Sequence, residues 1–191
     1  MIQKLVDTMV KQQVANEIIL KEEVDIYKYG YYLLLEIAMN IIIAMCIGIA
    51  FKDIKTVIFF LFIYIPLRTY SGGWHANRLW KCTLISNLII IIAEMITNYW
   101  KQYLSLYIGV LIVIICAVLI LFVAPVDTET KELNDTERKV YKRKTHNIVV
   151  IQMCVLVFCT VLHYDKYSLI IEYSYFVQAL MLLVGKTRKT Q

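Results

Sequence analysis

The sequence predicts an all-α, polytopic membrane protein: six transmembrane helices preceded by an N-terminal amphipathic helix lying at the membrane interface. Three observations carry this prediction. Hydrophobic residues make up 60% of the 191 positions and mean hydropathy is +0.63, while charged residues reach only 18%, against about a quarter in an ordinary soluble domain. The apolar residues gather in six blocks, Tyr31–Phe51, Ile54–Leu67, Cys82–Thr97, Tyr103–Ala124, Asn147–His163 and Tyr167–Val184, each near the length that crosses a bilayer as a helix. Six glycines and two prolines in the whole chain leave little room for a β-rich alternative.

Taken in order, residues 1–28 form the amphipathic segment. Ile2, Leu5, Val6 and Met9 fall at helical spacing while Lys4, Lys11 and Lys21 occupy other positions. This pattern suits a helix lying on the membrane surface, and equally a cytosolic helix packed on the loops. The short apolar core of a cleavable signal peptide is not expected here. Residues 31–184 hold the six-helix bundle and 185–191 a cytoplasmic tail, the whole reading as one membrane domain.

Orientation follows from the basic residues between blocks. If all six blocks span, 16 Lys and Arg lie on one side and 4 on the other; if the second and third do not span, the division weakens to 13 against 7. The stronger bias favours six spans with both termini in the cytoplasm. It also accounts for the net charge of +5 without a nucleic-acid partner. The longest polar connection, Pro125–His146, is too short to be a domain.

The five cysteines stand at 46, 82, 116, 154 and 159, mostly within apolar blocks and without a Cys-x-x-Cys pair. Neither a disulfide framework nor a metal site is expected, and no cofactor is implied. Cys46, Cys116, Cys154 and Cys159 read as small packing residues.

Cys82 differs because of the connection before it, which runs from Arg68 through Gly72-Gly73-Trp74-His75 to Arg78 and Lys81. The glycine pair ends the helix near Leu67 and lets the backbone approach another group closely. His75 and Cys82 are seven residues apart, about 10.5 Å along a regular helix, too far for proton transfer at roughly 3 Å. If His75 sits in the glycine turn, its imidazole can fold back to the sulfur. The pair has a chemical purpose: the thiolate is the nucleophile, an imidazole can take the thiol's proton, and Arg78 and Lys81 add positive potential. Trp74, Trp80 and Tyr70 suit the depth of an aromatic belt. An interfacial histidine satisfied by a carbonyl, with Arg68 as a snorkelling anchor, remains the plainer reading of the same residues.

Arg68-x-x-x-Gly72-Gly73-Trp74-His75-Ala76, followed by six residues and Cys82, resembles the signature of the accessory gene regulator protein B (AgrB) family. The hydrophobic blocks, the short length and the Ala124-Pro125-Val126-Asp127 opening of a lysine-rich connection are also similar to that family. The resemblance implies a membrane cysteine endopeptidase for quorum sensing, located in the bacterial cell membrane with its catalytic loop on the cytoplasmic side. Cys82 would be the nucleophile and His75 the general base and acid, with Arg68, Gly72 and Gly73 shaping the site. The implied substrate is a small AgrD-like precursor peptide with an amphipathic leader, a core containing a cysteine and an acidic C-terminal tail. Cleavage would release the tail, and thioester exchange would close a thiolactone, or a lactone where serine replaces the cysteine. A homodimer in the lipid membrane is also implied. The basic stretch from Lys131 to Lys144, with Arg78 and Lys81, suits an acidic tail, or serves only to set topology. No orienter for His75 stands out, Asn77 and Ser71 being nearest.

Glu36, Glu94 and Glu172 interrupt apolar blocks. They line a polar cavity for the peptide, or they lie near helix ends, which their positions in the blocks favour. The rival function is a small transporter or channel, possible for any such bundle, in which His75 and Cys82 would be incidental. It calls for a broken mid-membrane helix or an internal repeat, and neither pattern is visible.

Overall fold

The computed structural model describes residues 2–16, 18–74, 79–100, 106–127 and 133–189. Seven α-helices account for nearly all of them: α1 (Ile2–Ala15), α2 (Val24–Ala50), α3 (Ile54–Ser71), α4 (Leu79–Met95), α5 (Leu106–Val123), α6 (Asp135–Val161) and α7 (Asp165–Lys189). A short 3-10 turn, Lys21–Glu23, precedes α2, and a π-helical turn, Ile96–Trp100, extends α4.

The expected all-α membrane architecture is therefore present. Five helices are long and apolar enough to cross a bilayer: Val24–Ala50, Ile54–Ser71, Lys81–Tyr99, Asp135–Val161 and Asp165–Thr187. The sixth expected span corresponds to α5, the most apolar helix of all, whose stretch Ile108–Val123 is shorter than the other five. Several helices begin earlier than the expected blocks. α6 begins at Asp135 rather than near Asn147, because Asn134 and Glu137 close a capping box. The Glu137 amide donates to Asn134 Oδ1 (2.8 Å) and the Asn134 amide to Glu137 Oε2 (3.2 Å). That box satisfies the open N–H groups of the first turn and starts the helix well before its apolar half.

The chain divides into two compact units, Met1–Ala44 and Met45–Gln191. Within the first, α1 is amphipathic, with Val6 and Val10 buried and Lys11 exposed, but Met9, expected on the apolar face, is exposed. Gln13 Nε2 donates to the Tyr31 hydroxyl (2.7 Å) and Lys28 pairs with Asp7 (2.9 Å), tying α1 to α2.

Within the second unit α7 is the central strut, packing on α3, α4, α5 and α6. Its buried Ile171, Tyr175, Ala179 and Leu182 meet Ile63 and Leu67 of α3 and Val113, Ala117 and Ile120 of α5. Alanines at the α5–α7 contact let the two backbones come close, as packing in a bilayer requires. Large apolar side chains face outward, among them Phe62, Ile115, Phe122 and Val161. Such a surface suits hydrocarbon rather than water.

α3 is set at both ends. Asp53 caps its start, accepting from the Thr56 amide and from Thr56 Oγ1 (2.8 Å), and Lys166 at the head of α7 pairs with the same carboxylate. Pro66 inside α3 lacks an N–H, which weakens the helical hydrogen-bond ladder. Gln152 of α6 donates to the Ile63 carbonyl (2.8 Å) in the adjoining turn. Near its end, α3 delivers Arg68 and Ser71 to the segment on which the sequence places the chemistry.

Candidate functional site

At the end of α3 the chain turns through Gly72 (φ +72°) and Gly73 (φ +115°). Both lie in the left-handed region, where a side chain would cost about 1–2 kcal/mol per residue. Space forbids a side chain as well. A Cβ on Gly72 would stand 2.1 Å from the Val126 carbonyl oxygen, and one on Gly73 would stand 2.6 Å from Arg68 Nη1 and 2.9 Å from the Met181 carbonyl oxygen.

Four groups clamp this turn. Arg68 reaches forward from the last turn of α3, donating through Nη1 to the Gly72 carbonyl (2.8 Å) and through Nη2 to the Trp74 carbonyl. The Val126 amide donates to the Ser71 carbonyl (3.0 Å), closing a short parallel bridge between Gly72 and Val126. Gln178 of α7, fully buried, donates to Ser71 Oγ (2.6 Å) and to the Gly72 carbonyl (2.9 Å). The Trp74 amide donates to the Met181 carbonyl (2.9 Å) on the same helix. Gly185, one turn further along α7, leaves the space that Trp74 and Gly73 occupy, since its Cβ would lie 2.6 Å from the Trp74 nitrogen.

The two stretches that carry the family resemblance, about fifty residues apart, thus meet at one backbone bridge. Asp127, next to Val126, is fixed by a bidentate pair with Arg138 of α6 (2.8 and 2.9 Å). Beside the turn, Lys144 lies 4.7 Å over the Tyr70 ring, and Tyr141 meets Tyr70 edge-on at 5.6 Å. The exposed Lys139, Lys142 and Arg143 follow on α6.

Cys82 is the fourth residue of α4 and partly exposed. It is close enough to Arg68 and Tyr64 for their charges to interact. The Arg68 guanidinium beside it favours negative charge at the sulfur. Lys81, in the same turn, is exposed. The other four cysteines divide as packing residues do, Cys116 and Cys159 buried and Cys46 and Cys154 on the apolar outer surface.

His75, Arg78 and Lys131, named from the sequence, lie outside the described residues, as does Asn77. Arg68, Gly72 and Gly73 are brought into one cluster with Cys82 nearby. Ser71 is not placed to orient His75: its hydroxyl donates to the Leu67 carbonyl (2.6 Å) and accepts from Gln178, both inward contacts. Sequence reasoning missed Gln178, Met181 and Gly185. Their spacing of i, i+3 and i+7 marks one helical face, but nothing in it names the loop they serve.

The class the fold defines is an α-helical membrane protein, with a double-glycine turn clamped at the end of α3. Comparison with known proteins then gives the family. The accessory gene regulator B family matches residues 2–182, and the chain belongs to it. It is 26% identical over 168 residues to AgrB-like protein 2 of Clostridium perfringens strain 13, covering 84% of this chain and 78% of that protein. An AgrB-like protein of C. perfringens strain SM101 is 27% identical over 164 residues, covering 82% and 77%. Protein FsrB of Enterococcus faecalis is 24% identical over 144 residues, 75% of this chain and 58% of FsrB. No solved structure matches the chain.

Proposed function

We propose that this protein is a cysteine endopeptidase that removes the C-terminal tail of a small signalling-peptide precursor and promotes its cyclisation, in quorum sensing. The observation that carries the reading is the latch: Arg68 holds the Gly72 and Trp74 carbonyls while interacting with Cys82. His75 follows Trp74 directly, so the residue before the proposed base is fixed by its carbonyl to Arg68 and by its amide to α7.

In the proposed reaction His75 takes the Cys82 thiol proton. The thiolate attacks the carbonyl carbon joining core and tail; the C–N bond breaks and the imidazolium returns the proton to the leaving amine. A thioester remains on Cys82. The core's own cysteine gives its proton to His75 and attacks that thioester, so the bond to Cys82 breaks and the ring closes as a thiolactone. Exchange of one thioester for another conserves the activation of the cleaved bond, and no further energy source is required. Gly72, Gly73 and Arg68 shape the turn; Arg78, Lys81, Lys131 and the exposed basic face of α6 receive the acidic tail. The protein is proposed to act as a homodimer in the bacterial cell membrane, with both termini and the catalytic loop facing the cytoplasm.

The test is co-expression with the precursor encoded beside it, followed by mass spectrometry of the peptide. Intact protein should release the tail, and Cys82→Ala and His75→Ala should abolish release at unchanged membrane levels. Tail release that survives Cys82→Ala refutes the assignment and favours a transporter.

A further inference from the structure

Phe60, Tyr64 and Arg68 follow one another at single turns along α3 and share a stripe about 80° wide. Two levels set how this stripe meets α4, on which α3 packs. Deeper in the bundle, the Tyr173 ring of α7 stands 6.1 Å from that of Phe60, and its hydroxyl donates to the Ile89 carbonyl of α4 (3.1 Å). At the end of α3, Arg68 interacts with Cys82. Between these levels α3 advances about 12 Å from Phe60 to Arg68, and α4 returns about 10.5 Å from Cys82 to Ile89. Cys82 and Ile89 also lie within about 20° of one another around α4. The two helices therefore run antiparallel and in step, and Tyr64 falls between the Ile89 and Cys82 levels.

Tyr64 is half-buried, and its ring stacks on Phe60 with centroids 5.2 Å apart and an interplanar angle of 16°. Its phenol is close enough to interact electrostatically with both Arg68 and Cys82. Arg68 is committed elsewhere, since its two terminal nitrogens hold the Gly72 and Trp74 carbonyls. What it offers the sulfur is charge. Tyr64 offers a hydroxyl, which can donate a directed hydrogen bond. The stack on Phe60 asks only for an aromatic ring, and phenylalanine would supply it equally. Packing accounts for the ring of Tyr64 and not for its hydroxyl.

We propose that Tyr64 is a further residue of the candidate site, its phenol donating a hydrogen bond to the Cys82 sulfur and so favouring the thiolate. The proposal rests on the processing function above and adds to it a residue that sets the reactivity of the nucleophile. The phenol keeps its proton throughout; His75 takes the thiol proton and returns it to the leaving amine. A hydrogen bond to a charged acceptor is roughly twice as strong as one to a neutral acceptor. The phenol thus holds the thiolate more firmly than the thiol, and more of Cys82 is nucleophilic at a given pH.

The test follows alkylation of Cys82 by iodoacetamide in the full-length protein in membranes. Mass spectrometry of the peptide that carries Cys82 keeps the other four cysteines out of the signal. In Tyr64→Phe the midpoint of alkylation rate against pH should rise by about one unit, the tenfold that one lost hydrogen bond to a charged group is worth. An unmoved midpoint overturns the proposal, even if the plateau rate changes, because altered access scales the rate without moving the midpoint. Tyr173→Phe removes the hydroxyl that holds the Ile89 carbonyl and is the structural control; a shift there as large as in Tyr64→Phe also overturns it. Replacing Tyr64 by 3-fluorotyrosine keeps the ring and makes the phenol a stronger donor, so its midpoint should fall, and this protein decides the matter should Tyr64→Phe not accumulate. A midpoint that stays in place with 3-fluorotyrosine overturns the proposal as well. Failure of the processing reading is separable: tail release independent of Cys82, with the alkylation shifts intact, removes the proteolytic chemistry and leaves the pairing of Tyr64 with Cys82 in place.

Discussion

Gly185→Ala separates the fold of this protein from the working of its candidate site. Gly185 lies on α7, beyond the last apolar block and more than a hundred residues from the turn it supports. Alanine is the better helix former by about 1 kcal/mol, so the substitution by itself stabilises α7. The new methyl would, however, lie 2.6 Å from the Trp74 nitrogen and 2.9 Å from the Gly73 carbonyl carbon, where ordinary contact begins at 3.4 Å. The Trp74 segment must therefore retreat by about 0.8 Å. That movement lengthens the bond from the Trp74 amide to the Met181 carbonyl, now 2.9 Å, at a loss of about 1 kcal/mol. Because the clash is with main-chain atoms, which yield less easily than a side-chain end, the net effect on stability is a loss of about 1–2 kcal/mol. The effect on catalysis is larger, since a displacement near 1 Å next to the proposed base lowers rates about 100-fold. The expected result is a melting temperature in detergent lowered by only a few degrees together with about 100-fold slower tail release, followed by mass spectrometry at matched membrane levels. Gly30→Ala, with open space around the added methyl, is the neutral control. Tail release within about threefold of wild type in Gly185→Ala would refute the argument that α7 sets the loop.

Arg68→Lys keeps the charge but not the two-pronged grip on Gly72 and Trp74; with a charge-assisted bond worth about 1.5–3 kcal/mol, tail release should fall at least tenfold, and more in Arg68→Ala. Gln178→Leu removes the donor to Ser71 Oγ and the Gly72 carbonyl. It should lower stability by about 1–3 kcal/mol, read by denaturation in detergent, and slow release. Asp53 supplies a pH test. Burial pushes its carboxyl up, but hydrogen bonds from Lys166 and Thr56 and the Lys166 charge bring it below its ordinary value. A carboxylate depressed by folding contributes stability above its unfolded pKa of about 3.9 and loses it as pH falls through the lower folded value. The melting temperature of wild type should therefore exceed that of Asp53→Asn from neutral pH down to about 4 and converge with it below; a constant gap to pH 2 would contradict this.

The helices were legible because composition in blocks is a strong signal: α2 to α7 each coincide with most of one of the six apolar stretches. Their ends were less so. Block boundaries follow hydropathy, whereas helix boundaries follow capping, and the Asn134–Glu137 box starts α6 well ahead of its apolar half. Within the site, the Gly72-Gly73 turn and the importance of Arg68 were legible, because adjacent glycines and an arginine beside an apolar helix are locally unusual. Gln178, Met181 and Gly185 were not. Met181 acts through its backbone carbonyl and Gly185 through an absent side chain, so neither residue type advertises its partner. Glu172 does lie about two turns from the start of α7, as its place in the block suggests, but its burial against Gly109 of α5 comes from helices packing together and is not legible in its own block.

The arrangement of α7 explains why one helix can serve two tasks. At 100° per residue, Gln178, Met181 and Gly185 fall within about a 60° stripe, and that stripe faces the turn. Glu172, Phe176 and Leu180 fall on the opposite face, which lines an apolar cavity between α4, α5 and α7. Met181 belongs to both, with its side chain at the cavity and its carbonyl on the Trp74 amide. Any occupant that shifts α7 at this level also shifts the backbone immediately before His75. Packing on the cavity side of α7 is thereby tied, through Met181 alone, to the segment that precedes the proposed base.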